Sequence, residues 1–234
     1  MFWFYDYWYI VLVMPAVIFS LIASAKVNST FRKYSGVRSS RGITGAEAAR
    51  RVLDANGLYQ VKIERVRGEL TDHYDPRNNT VYLSESVHDV PSAAAIGVAA
   101  HEAGHAVQHA VGYTPIKIRT AIIPVTNFAS KLSFPLILLG LLFSASGLIT
   151  LAYIGVACFA MSTLFQLVTL PTEFNASRRA LDAISSSGIL ARDEIGGAKK
   201  VLSAAAMTYV AALAVSLMQL LRLLLIVGGN NRRR

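Results

Sequence analysis

Apolar residues in this chain are gathered into runs long enough to cross a lipid bilayer, and the charged residues are confined between them. That segregation constrains the fold more than any other feature. A soluble globule intersperses the two classes, whereas a membrane protein keeps them apart. Charged residues are only 16% of the 234 and crowd into residues 26–119 and 172–200. Residues 1–25 form the first run, aromatic and then aliphatic, with no charge over 7–25. It lacks the basic start of a cleaved secretory signal and reads as a retained span, with Trp3 and Trp8 at the interfacial end. Residues 132–171 form a second run, halved near Ser146-Gly147 into a hairpin of two spans. Residues 204–227 form the last span, followed by a Gly-Gly-Asn-Asn-Arg-Arg-Arg tail over 228–234. Arg222, near the end of that run, reads as an anchor that snorkels to the interface.

The polar stretch 26–131 reads as a membrane-proximal α+β domain. Thr44 and Glu47 have capping-box spacing and open a helix that ends at Asn56-Gly57. Val61–Val66 alternates and predicts a strand. Asp75 to Asn79 is turn chemistry, and Thr80–Leu83 is a second strand, which offers an edge for an extended substrate. After Pro91 and Ser92 an alanine-rich helix runs through Val111 to Gly112, and another helix covers Ile116–Lys131. Residues 172–203 read as a polar helical segment. The predicted fold class is therefore a mainly α membrane protein, with about four transmembrane helices and a small α+β domain.

Two spans separate the alanine-rich helix from residues 172–200, so both polar segments face the same side. Together they hold 19 of the 23 lysines and arginines, which makes that side cytoplasmic and the chain a multi-pass plasma-membrane protein. The Arg232–Arg234 tail runs against this bias. A net charge of +9 does not indicate nucleic acid, because the basic residues form no stripe and no reader motif. The lone Cys158 lies in an apolar run and can form no internal disulfide.

Residues 101–105 read His-Glu-Ala-Gly-His. Positions i and i+4 share one face of a helix, so His101 and His105 can converge on one zinc ion. Glu102 stands beside the metal, placed to take a proton from zinc-bound water. Ala103 and Gly104 are small enough to let another helix dock closely. A catalytic zinc needs a third protein ligand. His109 is about 12 Å along the axis from His101, too far to share its ion on a straight helix. His73, His88, Asp75, Glu85 and Asp89 are chemically capable. Glu173 is the better choice, because it follows Pro171 where the chain leaves the third span on the matching face. His73, Tyr74, His109, Tyr113 and Arg178 are the candidate oxyanion donors.

The segments VAAHEAGHAVQH (98–109), LPTEFNASRRAL (170–181) and LTDHYDPRNNTVYLSE (70–85) together resemble the neutral zinc metallopeptidases of bacterial membranes, the YugP-like family, over essentially the whole chain. A more distant similarity is to membrane zinc peptidases of the HtpX type. The resemblance implies a zincin-like HExxH peptidase acting on polypeptides. It implies one Zn2+ held by His101, His105 and Glu173, with Glu102 as the base. In the wider group an aspartate four residues after the third ligand supports a ligand histidine; Ser177 stands there in this chain. Two other readings compete with a surface peptidase. One is an intramembrane-cleaving protease, with the motif inside a span; the motif's flanking Pro91, Gly112 and charges oppose it. The other is a non-catalytic zinc-containing scaffold or chaperone partner, for which the spare Glu102 has no use. Bilayer and polypeptide are the partners expected; membrane-protein partners and the oligomeric state are left open.

Overall fold

The computed structural model describes residues 7–231, so Trp3 and the Arg232–Arg234 tail lie outside the described residues. A π-helical turn, Tyr9–Val13, leads into α1 (Met14–Ser35). Then come α2 (Gly45–Ala55), β1 (Lys62–Val66), β2 (His73–Asp75), β3 (Thr80–Ser84), α3 (Ala93–Ala110), α4 (Thr114–Leu142), α5 (Ile149–Ser186) and α6 (Ile195–Asn231). Among the described residues four helices are long and apolar enough to cross a membrane: Tyr9–Ser35, Thr114–Leu142, Ile149–Ser186 and Ile195–Gly229. The chain divides into two units. One takes Met1–Ile22, Ile118–Leu170 and Tyr209–Arg234; the other takes Ala23–Lys117 and Pro171–Thr208.

In the first unit small residues set the helix contacts. A Cβ on Gly140 would run into the Ala152 backbone, and one on Gly155 would meet the Ser133 carbonyl at 2.7 Å. The hairpin between α4 and α5 therefore packs backbone against backbone, as helices do where lipid gives no hydrophobic drive. The turn between them is at Ser144–Ser146, and Gly147 takes the left-handed φ of 85° that ends it. Thr163 and Ser216 hydroxyls join α5 to α6 at 2.7 Å. Arg222 lies over the Tyr9 ring, 5.4 Å from its centroid. Phe128, Phe134, Leu142 and Leu167 remain exposed, an apolar surface suited to acyl chains.

The expected separate helix over 116–131 is instead the start of α4, which runs without a break through Pro124 and Pro135. Prolines that would break a helix in water are tolerated in apolar bundles, where neighbouring groups satisfy the freed carbonyls.

The second unit has a hydrophobic core, in which Val52, Leu53, Val81, Leu83, Ile96 and Ile184 are almost fully buried. The capping box closes as expected: Glu47 N–H donates to Thr44 Oγ1 at 3.3 Å, and Thr44 N–H to Glu47 Oε2 at 2.9 Å. Ser92 caps α3 by accepting from Ala95 N–H at 3.2 Å, and Gly112 follows its end at φ 67°. The sheet order is β1-β3-β2, with β1 parallel and β2 antiparallel to β3. This corrects the expectation of an edge at Thr80–Leu83. That segment is the central strand, paired on both sides, and its backbone has no free side for a peptide. The strand that sequence reading missed, β2, pairs His73 with Tyr82 and Asp75 with Thr80. Asp72 holds its start in place by accepting from Ser84 N–H at 2.7 Å.

Candidate metal centre

The site is built on α3 and the polar half of α5. All five residues from His101 to His105 lie within α3. The i, i+4 spacing turns both imidazoles to one face, where their ring centroids are 4.7 Å apart and nearly perpendicular at 85°. Residue 104 is glycine for a visible reason. A Cβ there would lie 2.9 Å from the Ala176 carbonyl oxygen, so α5 presses directly on the α3 backbone.

That close approach delivers Glu173. Its Oε2 is 3.2 Å from His101 Nε2 and 3.5 Å from His105 Nε2. The carboxylate is 2% exposed, and the two histidines 9% and 8%. Among the described residues these three form the one His/Cys/Asp/Glu group able to hold a metal, with ligand atoms all within 4.8 Å of one another. Ligands about 2.0–2.1 Å from a shared tetrahedral ion stand about 3.3 Å apart. The two Glu173–histidine separations lie close to that edge length and the three donors all fall within 4.8 Å of one another, so the donor set suits zinc in number and chemistry. Burial pushes the His105 imidazole down, but its hydrogen bond to Glu173 and the negative charges of Glu102 and Glu173 outweigh this and raise it above the ordinary histidine value. Glu102 is half-buried next to the cluster without belonging to it.

Each histidine also has a partner on its other nitrogen. Ser177 Oγ lies 3.1 Å from His101 Nδ1, so the hydroxyl occupies the place that the aspartate of the wider group would fill. Gln108 Oε1 lies 3.0 Å from His105 Nδ1, and Gln108 is completely buried. Gln108 was invisible to sequence reasoning. The faint signal for it was its position three residues after His105, on the inner face of the same helix.

The other sequence candidates lie elsewhere. His73 stacks on Tyr82, with Nδ1 2.9 Å from the Thr71 carbonyl. His88 pairs with Asp89 at 2.7 Å, and Asp75 accepts from Arg77. Glu85 is exposed. None of these joins the cluster. His109 packs beside the Tyr74 ring at 5.5 Å, while the Tyr74 hydroxyl donates to Asn79 at 2.8 Å. The Tyr113 hydroxyl donates to the Pro171 carbonyl at 3.4 Å, two residues ahead of Glu173.

Comparison with known proteins gives a consistent answer. The family described as "Putative neutral zinc metallopeptidase" matches residues 9–228. The chain is 52% identical over 214 residues to "Putative membrane protease YugP" of Bacillus subtilis (strain 168), covering 92% of this chain and 94% of that protein. No solved structure matches. On the strength of a match that runs from the first apolar helix to the last, the chain belongs to the neutral zinc metallopeptidase family.

Proposed function

We propose that this protein is a multi-pass membrane zinc endopeptidase of the HExxH-plus-Glu type. In this reading His101, His105 and Glu173 hold one Zn2+, and Glu102 is the general base. The observation that carries it is the convergence of both Nε2 atoms on one buried carboxylate oxygen, with a second glutamate left outside the cluster. A closed structural site would use four protein ligands and have no need of a base.

Bound zinc would supply a Lewis acid that polarises the scissile carbonyl and makes water acidic enough to attack at neutral pH. His101 and His105 orient the site through their Nε2 lone pairs. Glu173 fixes its third corner and adds one negative charge. Glu102 takes the proton from the attacking water as its oxygen bonds to the carbonyl carbon. The same carboxylic acid then returns the proton to the amine nitrogen as the C–N bond breaks. The substrate is a polypeptide, and the apolar helices around the chain favour membrane or misfolded proteins. The basic segments favour a cytoplasmic active face of the plasma membrane. A site at the bilayer surface is preferred to an intramembrane one, because α3 is not among the four helices suited to crossing lipid.

The test is Glu102→Gln in full-length detergent-solubilised protein, assayed for bound zinc and for cleavage of casein or a misfolded membrane protein. Zinc should stay stoichiometric, and turnover should fall by about 10²–10⁴-fold, the usual contribution of a positioned acid–base group. Undiminished cleavage would remove Glu102 from the mechanism. His101→Ala, His105→Ala and Glu173→Ala should instead lose the metal.

A further inference from the structure

We propose that Arg179, Asn175 and Gln108 form a chain of forced hydrogen-bond polarity that fixes the tautomer of His105 and so aims its Nε2 lone pair at the metal position. The inference rests on the metal-site reading above and concerns residues to which that reading gives no role.

The logic starts at the far end. Arg179 Nε lies 2.8 Å from Asn175 Oδ1. A guanidinium has donors and no acceptor, so the Asn175 atom facing it must be the amide oxygen. The same oxygen lies 3.0 Å from the side-chain amide of Gln108, which therefore presents its NH2 group there. The Thr172 carbonyl, 2.8 Å from the same Gln108 nitrogen, imposes the identical choice, since a backbone carbonyl can only accept. With Nε2 committed on that side, Gln108 must offer Oε1 to His105, 3.0 Å from Nδ1. An amide oxygen has no hydrogen to give, so Nδ1 carries the proton and neutral His105 keeps a bare Nε2. Flipping either amide would set acceptor against acceptor or donor against donor, and Gln108, with no exposed surface, has no water to relieve the clash.

Gln108 also measures α5. Two of its bonds go to residues that flank Glu173 in sequence, Thr172 and Asn175, and its third goes to a histidine beside Glu173 in space. The amide therefore ties the orientation of one ligand to the placement of another. We assign Gln108, Asn175 and Arg179 as positioning residues. His101 has no comparable arrangement, because the Ser177 hydroxyl can donate or accept.

Two isosteric substitutions separate polarity from packing. Asn175 acts only as an acceptor in these bonds, so Asn175→Asp preserves every one. Gln108 must donate twice, so Gln108→Glu sets a carboxylate against the Thr172 carbonyl and the Asn175 oxygen. The experiment uses full-length protein in detergent. Zinc affinity is measured by chelator competition, and the visible absorption of the Co2+-substituted form reports ligand geometry. Gln108→Glu should weaken zinc about 10–100-fold and alter the Co2+ spectrum, because repulsion from the Thr172 and Asn175 oxygens displaces the carboxylate from its seat against His105, the usual scale for disturbing a ligand's outer hydrogen bond. Asn175→Asp should stay within about threefold of wild type, with an unchanged spectrum. If Gln108→Glu does not fold, Gln108→Met takes its place. It should weaken zinc and perturb the Co2+ spectrum, because the thioether keeps the side-chain volume but offers His105 Nδ1 no amide oxygen. Equal behaviour of Gln108→Glu and Asn175→Asp, or an unperturbed Gln108→Met, overturns the relay while the metal site stands. A wild-type protein that binds neither zinc nor cobalt removes the metal site and the relay with it.

Discussion

The two units use one packing device for different ends. In the apolar unit, Gly140 and Gly155 bring α4 and α5 together, and what they gain is contact. In the other unit, Gly104 brings α3 against the Ala176 carbonyl, and the approach seats Glu173 on two imidazoles. The surroundings differ as well. Beside Gly104 the polar groups form a connected set: buried His101, His105, Glu173 and Gln108, with half-buried Asn175. The apolar unit shows a cross-helix hydroxyl pair, Thr163 with Ser216, and broad exposed apolar faces. Close backbone packing is thus a general means of docking helices. Chemistry follows only where the sequence places polar groups that can satisfy one another once water is excluded.

The contrast can be broken most forcefully at the cores. Leu53 is fully buried, and Leu53→Ala should cost about 2–5 kcal/mol. Phe134, 72% exposed in the apolar unit, should tolerate alanine with little change in thermal melting in detergent. An equally large loss at Phe134 would mean that its face is covered by protein rather than lipid. The glycines sharpen the comparison at an intermediate size. Gly104→Ala and Gly140→Ala should each destabilise by about 1–3 kcal/mol through overpacking. Only Gly104→Ala should also reduce zinc bound per chain, measured by elemental analysis. Metal loss in both would show that the site depends on the apolar packing as much as on its own. The smallest effect is expected at Thr163→Val, about 0.6 kcal/mol for one hydrogen bond between apolar helices, with zinc content and turnover unaltered.

What the sequence revealed follows the range of the forces involved. The Thr44–Glu47 cap, the Ser92 cap and the Gly112 stop are settled within a few residues, and each was legible. So was the 101–105 pair, because helical periodicity alone puts both rings on one face. Glu173 was reachable through span parity and its place after Pro171. β2 was not, since His73, Tyr74 and Asp75 have no alternation of their own and become a strand only by pairing with β3. The error about Thr80–Leu83 has the same origin: a strand is an edge or a centre according to neighbours that its own residues do not specify. The separate helix expected over 116–131 was ended at Lys131, the last charge before the apolar run, whereas α4 continues past it because a lone lysine does not interrupt helical hydrogen bonding. Gln108 was hidden most thoroughly. Its partners on α5 lie 64 and 67 positions away in the chain.

The Tyr9–Arg222 contact has a practical corollary. It brings the opening of the first apolar helix beside the last one, the arrangement that four crossings of one bilayer would give. A reporter fused to either terminus should therefore light up in the same compartment, and a split result would mean that a helix had failed to cross.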